Sequence, residues 1–273
     1  MQILPRGSAA YNLLLLEPAQ LREFLDRKVA EYNTPAFIPG DPISVPHRYS
    51  KKQDREIAGF FAASFAWGNR TTIINKSREL MGLMDDSPHD FIINHKDRDL
   101  QRMEGFCHRT FNVTDLLYFI SFLKKHYQEH RSLEDAFLVK DPDDSREPME
   151  QALDQFYHNF FTLEHIPART HKHIAAPFRN SSCKRLNMFL RWMVRNDKKG
   201  VDFGLWKRIS PAHLICPLDV HVGRVARSFG LLQRPLPDWR AALMLTSQLR
   251  VLDPQDPVKY DFALFPLGAM ERF

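Results

Sequence analysis

Apolar residues recur at helical spacing along most of the chain. In the segment 19–32, Leu21, Phe24, Leu25 and Val29 fall near one face, after Pro18 at a position that favours a helix start. Comparable periodicity predicts helices at 50–65, 115–126, 149–162, 182–195, 219–229 and 238–252. Alternating apolar and polar positions are scarce. The pattern therefore predicts an all-α protein of about ten helices with short links.

Polar residues mark the predicted helix ends. The stretch Trp67-Gly68-Asn69-Arg70 predicts a turn, and Thr71 or Thr72 is expected to cap the helix that follows. The stretch 132–135 resembles a capping box. Residues 140–148 are polar and end in proline, which is typical of an exposed loop.

Composition and charge restrict the class of protein. With 273 residues, of which 44% are hydrophobic and 26% charged, the chain can bury a sizeable core as one globular unit, residues 1–273. The net charge is +5, which fits a polyanionic partner without requiring one. The apolar run 13–16 is too short to span a membrane, so no membrane partner is expected.

The cysteines argue against a bound metal. Cys107, Cys183 and Cys216 stand far apart and form no Cys-x-x-Cys pair. We therefore expect no zinc site, no iron–sulfur cluster and no other cofactor. A sparse, odd number of cysteines suits the reducing cytoplasm, where we expect the protein to reside.

Lys184 stands at a helix start. The helix 182–195 has a continuous apolar face, and one of Asn180, Ser181 or Ser182 is expected to cap it. Lys184 then lies in the first turn, where the helix dipole is positive and a cation is disfavoured. Arg179 and Arg185 add positive charge nearby.

These surroundings predict a lowered pKa for Lys184. A neutral amine is what Schiff-base chemistry requires. The alternative is that Lys184 and its arginine neighbours only bind phosphate at the helix N-terminus. Cys183 also has arginine neighbours, which are expected to lower the pKa of its thiol. No histidine or aspartate partner for Cys183 is evident in the sequence.

Asp219 stands at a second helix start. It follows Pro217 and precedes the apolar stripe of the helix 219–229, which makes it an N-cap or first-turn residue. A carboxylate anchored in this way can stabilise a developing oxocarbenium ion or orient a water molecule. The alternative is that Asp219 only caps its helix. Asp261 lies in an apolar run near the C-terminus, and a structural role as a second capping residue is expected.

The run Pro217–Leu231 resembles a known motif. It is similar to the Val-Asp-Thr-His-Val-x-Arg-Val-x-x-Arg-Leu-Gly-Leu run of the helix-hairpin-helix DNA glycosylases of the endonuclease III type. Residues 56–66 and 73–80 resemble the early helix pair of that superfamily. Lys184–Leu190 is similar to its Lys-Thr-Ala-Asn-x-x-Leu helix. The pattern over the whole chain resembles an uncharacterised conserved bacterial family, which we interpret as a distant branch of this superfamily.

The resemblance implies a fold and an activity. The fold would have two helical lobes with a cleft between them: residues 50–200 would carry the lysine helix, and 1–49 with 201–273 the aspartate helix. The protein would be a monomer that flips a damaged base, such as an oxidised purine, out of duplex DNA and cleaves its glycosidic bond. Lys184 would attack the sugar C1′, with Asp219 as its acid partner.

The resemblance also implies residues that contact DNA. Trp67 and Asn69 lie in the turn that fills the gap left by the flipped base in relatives, and Arg70 belongs to the same turn. His221 belongs to the matched run without an assigned chemistry. Further basic residues lead into the lysine helix and would form a phosphate track or, alternatively, only a solubilising surface. These residues are Arg169, Lys172, Arg179 and Arg185.

Two departures from the motif weaken the match. The hairpin signature Leu-Pro-Gly-Val-Gly before the lysine is absent, and 177–182 reads Pro-Phe-Arg-Asn-Ser-Ser. Asp219 follows Lys184 by 35 residues, which is longer than in the endonuclease III type. Archaeal 8-oxoguanine glycosylases, with a degenerate hairpin and a longer insert, resemble the chain better.

Three functional classes remain open from the sequence. The first is a glycosylase, the second a DNA-binding protein without turnover, and the third a helical interaction protein without nucleic acid. The position of two side chains separates the first from the others. If Lys184 and Asp219 face one cleft, the enzyme is favoured, and if they face different surfaces, it is excluded.

Overall fold

Helices account for most of the fold. The computed structural model describes residues 17–271 and 273, and the apolar run 13–16 lies outside them. The helices in this part of the chain are α1 (Pro18–Tyr32), α2 (Lys52–Ser64), α3 (Arg70–Leu83), α4 (Pro88–Asn94), α5 (Asp97–Leu100), α6 (Val113–Glu129), α7 (Pro148–Phe160), α8 (Lys184–Val194), α9 (Val220–Ser228), α10 (Trp239–Leu252) and α11 (Asp261–Ala269).

The helical class predicted from the periodicity is confirmed. One short antiparallel hairpin is added to it, in which β1 (Cys107–His108) pairs with β2 (Phe111–Asn112). Within residues 17–271 and 273, no helix combines the length and apolar character needed to cross a membrane.

Capping side chains set several helix starts. Asp238 accepts a hydrogen bond from the Ala241 N–H at 2.9 Å and caps α10. For α3 the predicted cap is wrong: Asn69, rather than Thr71 or Thr72, accepts from the Thr72 N–H at 3.1 Å. The helix therefore begins earlier, and Thr72 supplies the donor of the cap.

The capping box expected at 132–135 is wrong in its second half. Ser132 does accept a hydrogen bond from the Glu134 N–H, at 3.2 Å, and a 3₁₀ helix follows over Leu133–Phe137. The Asp135 carboxylate does not return to Ser132, because it pairs with the Arg208 guanidinium at 2.7 Å. A partner distant in the chain has replaced the local one.

Closely packed phenylalanine rings fill the space around α2. The Phe60 ring centroid lies 5.4 Å from that of Phe119 on α6, 5.8 Å from Phe156 on α7 and 5.7 Å from Phe189 on α8. Buried apolar side chains continue from this centre as one cluster that reaches from Leu21 to Leu267. Burial of this apolar area supplies the main favourable free energy of folding.

A second contact region joins α1, α9 and α11. Phe24 of α1 packs on Phe229 at the end of α9, with ring centroids 5.7 Å apart. Gly268 of α11 lies directly against the start of α9. A Cβ at this position would come within 2.8 Å of the His221 carbonyl oxygen, so a residue without a side chain is required for this approach.

The buried carboxylate of Glu56 ties distant segments to α2. It accepts hydrogen bonds from the Tyr127 hydroxyl at 2.9 Å, the Ser132 hydroxyl at 2.5 Å, the Leu133 N–H at 3.1 Å and the Trp206 indole N–H at 2.7 Å. Burial raises the pKa of Glu56, and these four donors oppose that rise. The Glu56 side chain therefore connects α2 to α6, to the 3₁₀ helix after it and to the link before α9.

We expect Glu56→Ala to lower the free energy of unfolding by roughly 3–5 kcal/mol, because four donors lose one buried acceptor together. Urea denaturation measures this quantity. Glu104→Ala, at an exposed glutamate, is the control and should change it by no more than about 0.5 kcal/mol. A Glu56→Ala protein as stable as Glu104→Ala would contradict the role given to this carboxylate.

Candidate active site

Three helix starts surround one cavity. The cavity has a volume of about 750 Å³ and lies between the first turns of α3, α8 and α9, with α11 on another side. Its size is within the range of ordinary ligand sites. The polar and aromatic residues in its lining include Phe37, Asp41, Trp67, Asn69, Arg70, Lys184, Arg185, Arg191, Asp219, His221, Asp261 and Phe265.

Lys184 and Asp219 both line this cavity. The structure thus brings together two residues that stand 35 positions apart in the chain. The condition set from the sequence for favouring an enzyme is met by their position. Trp67, Asn69, Arg70, Arg185 and His221 share the same lining.

The start of α8 differs from the expectation. Its N-cap is Cys183, with φ at 51°, and no side chain caps the helix; Asn180, Ser181 and Ser182 are not the cap. The Ser181 hydroxyl accepts instead from the Cys183 N–H at 3.2 Å. Lys184 is still the first residue of the helix, so its predicted place in the first turn is confirmed.

Burial dominates the electrostatics of Lys184. It lowers the pKa of the amine, while Asp219, Asp261 and Asp41 act to raise that pKa and Arg185 to lower it. The predicted direction is therefore confirmed, but the main cause is loss of solvent rather than crowding by arginines. The amine itself lies 3.7 Å from the sulfur of Met188.

Asp219 caps α9 with one oxygen. Its Oδ1 accepts hydrogen bonds from the N–H groups of His221 at 2.8 Å and Val222 at 3.0 Å. The capping geometry predicted for Asp219 is confirmed. Its Oδ2 has no hydrogen-bond partner in the part of the chain that the structure describes, so one carboxylate oxygen stays available to a cavity occupant.

Two other polar groups in the cavity lining also have unused hydrogen-bonding capacity. The Nη2 of Arg70 and the Nδ1 of His221 are inaccessible to solvent and have no hydrogen-bond partner among residues 17–271 and 273. The Arg70 guanidinium lies over the Phe265 ring, 4.6 Å from its centroid. The Arg70 guanidinium therefore packs on an aromatic ring and keeps one buried, unsatisfied donor.

Arg185 is engaged by the protein. Its guanidinium donates to the Ser64 carbonyl at 2.6 Å and lies over the Trp67 ring, 5.0 Å from its centroid. Burial lowers the pKa of Arg185 to about 10. Arg185 therefore stabilises the turn between α2 and α3, where Trp67 is half-buried and Asn69 is exposed.

Three of the predicted DNA-binding residues lie outside the cavity lining. Arg169 pairs with the buried Asp115 carboxylate at 3.1 Å. Arg179 donates to the Tyr157 hydroxyl at 3.2 Å and to the His171 carbonyl at 3.0 Å. Lys172 is exposed. The sequence placed all three in the stretch leading into the lysine helix, but the fold directs Arg169 to the start of α6 and Arg179 to α7.

Asp261 and Arg191 were not anticipated as site residues. Asp261 is not a cap, because Tyr260 occupies the N-cap position of α11. The Asp261 carboxylate pairs with the buried Arg191 guanidinium, which also lies 3.3 Å from Asp202. Burial raises the pKa of Asp261 to about 6. A charged Arg191 within the apolar run 186–194 was the available signal, since a buried charge needs a partner.

The lowered thiol pKa expected for Cys183 is wrong. The side chain is fully buried, and burial raises the pKa of its thiol to about 12. The nearby Arg185 charge acts in the opposite direction but is outweighed. Among the described residues, no group of three or more His, Cys, Asp or Glu side chains is placed to hold a metal ion.

The fold and cavity define a helical protein with a lysine and several carboxylates around one ligand-sized cavity. Residues 41–270 match a protein family described as "Protein of unknown function (DUF2400)", and the chain belongs to that family. The searches of curated proteins and of solved structures found no match.

We expect Asp219→Asn to lower the pKa of Lys184 further, because the Asp219 carboxylate favours the ammonium form. The measurement is a pH titration of ¹³C-dimethylated lysines by NMR, with the Lys184 signal assigned from Lys184→Arg. Asp135→Asn, which removes a carboxylate outside the cavity lining, should leave the Lys184 pKa unchanged. A rise in the Lys184 pKa in Asp219→Asn would refute this arrangement of charges.

Proposed function

We propose that this chain is a DNA N-glycosylase with AP-lyase activity, acting on an oxidised purine or a similar lesion flipped out of duplex DNA. One observation carries the proposal: Lys184 and Asp219 line the same cavity of about 750 Å³. The motif resemblance of both helices assigns them the roles of nucleophile and acid partner. Their shared cavity is the condition that those roles require.

The electrostatics of Lys184 support nucleophilic catalysis. A lowered pKa increases the fraction of neutral amine, which is the form that attacks C1′ of the sugar. The Asp219 carboxylate is fixed by two backbone N–H groups, so its charge is preorganised to stabilise an oxocarbenium-like transition state.

The proposal includes a two-lobed architecture. The cavity takes its lining from α3 and α8, which fall in the proposed lobe 50–200, and from α9 and α11, which fall in the lobe made of 1–49 and 201–273. A base flipped into this cavity would therefore be held between the lobes. The Arg70 guanidinium and the Phe265 ring are placed to contact such a base.

The link 177–183 is proposed to replace the missing hairpin in gripping the DNA backbone. It ends at Cys183, directly before Lys184, and carries the exposed residues Phe178, Arg179 and Asn180. Asn180 and Cys183 are both left-handed, with φ at 58° and 51°, which turns the chain sharply before α8. Arg179 and the exposed Lys172 offer positive charge on the surface outside the cavity lining, where we place the DNA backbone.

We expect borohydride to trap a covalent adduct between the protein and a duplex containing 8-oxoguanine, uracil or an abasic site. The adduct should vanish in Lys184→Ala, because the imine forms on that amine, and persist in Lys140→Ala, at an exposed lysine outside the cavity lining. Denaturing gel electrophoresis measures it. If no duplex gives an adduct while salt-sensitive DNA binding persists, the protein binds DNA without turnover. Absence of DNA binding even at low salt would exclude both DNA-dependent functions.

We expect Arg179→Ala and Lys172→Ala each to reduce the salt dependence of duplex binding. The slope of log K against log salt is negative, and each lost phosphate contact should reduce its magnitude by roughly 0.9. Fluorescence anisotropy over a salt series measures this slope. Lys140→Ala, at an exposed lysine outside the cavity lining, is the matched control and should leave it unchanged. If all three variants keep the wild-type slope, the DNA binds to another surface.

A further inference from the structure

A second carboxyl faces the lysine. Asp261 is the first residue of α11, is only 5% exposed and lines the cavity with Lys184 and Asp219. Its Oδ2 is paired with the Arg191 guanidinium. In the described part of the chain its Oδ1 has no hydrogen-bond partner, so the carboxyl is held by one oxygen and open at the other.

The charged groups around Asp261 come from several elements. Arg191 and Lys184 reach it from α8 and lower its pKa, while Asp219 from the start of α9 raises it. Asp41 and Arg70 share the cavity lining, as does His221. Lys259, in the segment before α11, is directed elsewhere and pairs with Asp26 and Asp253.

The environment of Asp261 differs from that of Asp219. Burial is the largest effect on Asp261 and raises its pKa to about 6, so its carboxyl can exchange a proton close to neutral pH. Asp219 is instead committed through Oδ1 to two backbone N–H groups. Two carboxyls with different environments in one cavity are suited to different roles.

We propose that Asp261 is the proton-transfer residue of this site: its carboxyl protonates the departing base, and the resulting carboxylate then removes a C2′ proton from the sugar. The proposal rests on the proposed glycosylase–lyase function and assigns the acid–base steps within it. Asp219 keeps the separate role of stabilising positive charge at C1′.

The first step releases the base. The Lys184 amine forms a bond to C1′ while the electron pair of the C1′–N bond leaves with the base, which takes the proton of Asp261. One proton then passes from the Lys184 nitrogen to the sugar O4′ as the C1′–O4′ bond breaks. The product is a C1′ imine protonated at the Lys184 nitrogen, with Asp261 ionised.

The second step cleaves the strand. The Asp261 carboxylate takes a C2′ proton, the C2′–H electron pair becomes the C2′=C3′ bond, and the C3′–O electron pair leaves with the 3′ phosphate. Asp261 is protonated again after this step. The two proton transfers therefore return the carboxyl to its starting state without another protein group.

An abasic duplex isolates the second step, because it has no base to release. We expect Asp261→Asn to form the borohydride-trapped adduct but to cleave the strand roughly 10²-fold more slowly than wild type, the lower range for loss of a general base. The wild-type cleavage rate should rise with pH through about 6, as the carboxylate forms, and the variant should lack this inflection. Asp261→Ala should regain cleavage when formate is added.

Controls separate this role from a structural one. Asp256→Asn also removes a carboxylate that pairs with a buried arginine, Arg195 at the end of α8, but Asp256 lies outside the cavity lining and this variant should retain cleavage. If Asp261→Asn does not fold, Asp261→Glu should keep the inflection near pH 6, and its loss would overturn the proposal.

The failure of each hypothesis is distinguishable. If wild type forms no adduct on any duplex, the glycosylase–lyase function itself fails. If wild type forms the adduct and Asp261→Asn cleaves at the wild-type rate with the inflection intact, only the role of Asp261 is overturned. A slow Asp261→Ala protein that formate does not rescue also overturns it, because a positional defect would then explain the loss.

Discussion

The buried Arg191 guanidinium is the constraint on which the cavity depends. It is only 4% exposed and lies between the carboxylates of Asp202 and Asp261. A buried charge without partners would cost several kcal/mol, so the fold must deliver both carboxylates to α8. Because Asp261 belongs to α11, its pairing fixes the distance between the two sides of the cavity and thereby the position of Lys184 relative to α11.

The two ends of α8 have different roles. Towards its C-terminus, Arg195 pairs with Asp197, Asp202 and Asp256, and Asp202 is shared with Arg191. At the N-terminal end, Lys184 lines the cavity. The charged end anchors α8 to the loop after it and to the segment before α11. The lysine is therefore carried by a helix whose rotation and translation are strongly restricted, as a preorganised site requires.

Prediction from the sequence succeeded where the interacting residues are neighbours in the chain. The apolar periodicity predicted most of the helices, and Asp219 was placed correctly at its helix start because its donors are the next residues in the chain. Prediction from the sequence failed where the interaction partner lies far away in the chain. Asp135 was drawn away from Ser132 by Arg208, and Asp261 meets Arg191 from 70 positions away. Nearness in sequence also misled: Arg179 precedes Lys184 closely but points to Tyr157, outside the cavity lining.

Gly268 sets the spacing between α9 and α11 without the participation of a charged residue. The start of α9 contacts α11 at this glycine. Asp219 caps the start of α9, and Asp261 is the first residue of α11. One added methyl group would force the helices apart and weaken the repulsion by which Asp219 raises the pKa of Asp261. A side chain at position 268 would therefore lower the pKa of Asp261 while leaving every polar residue of the cavity unchanged.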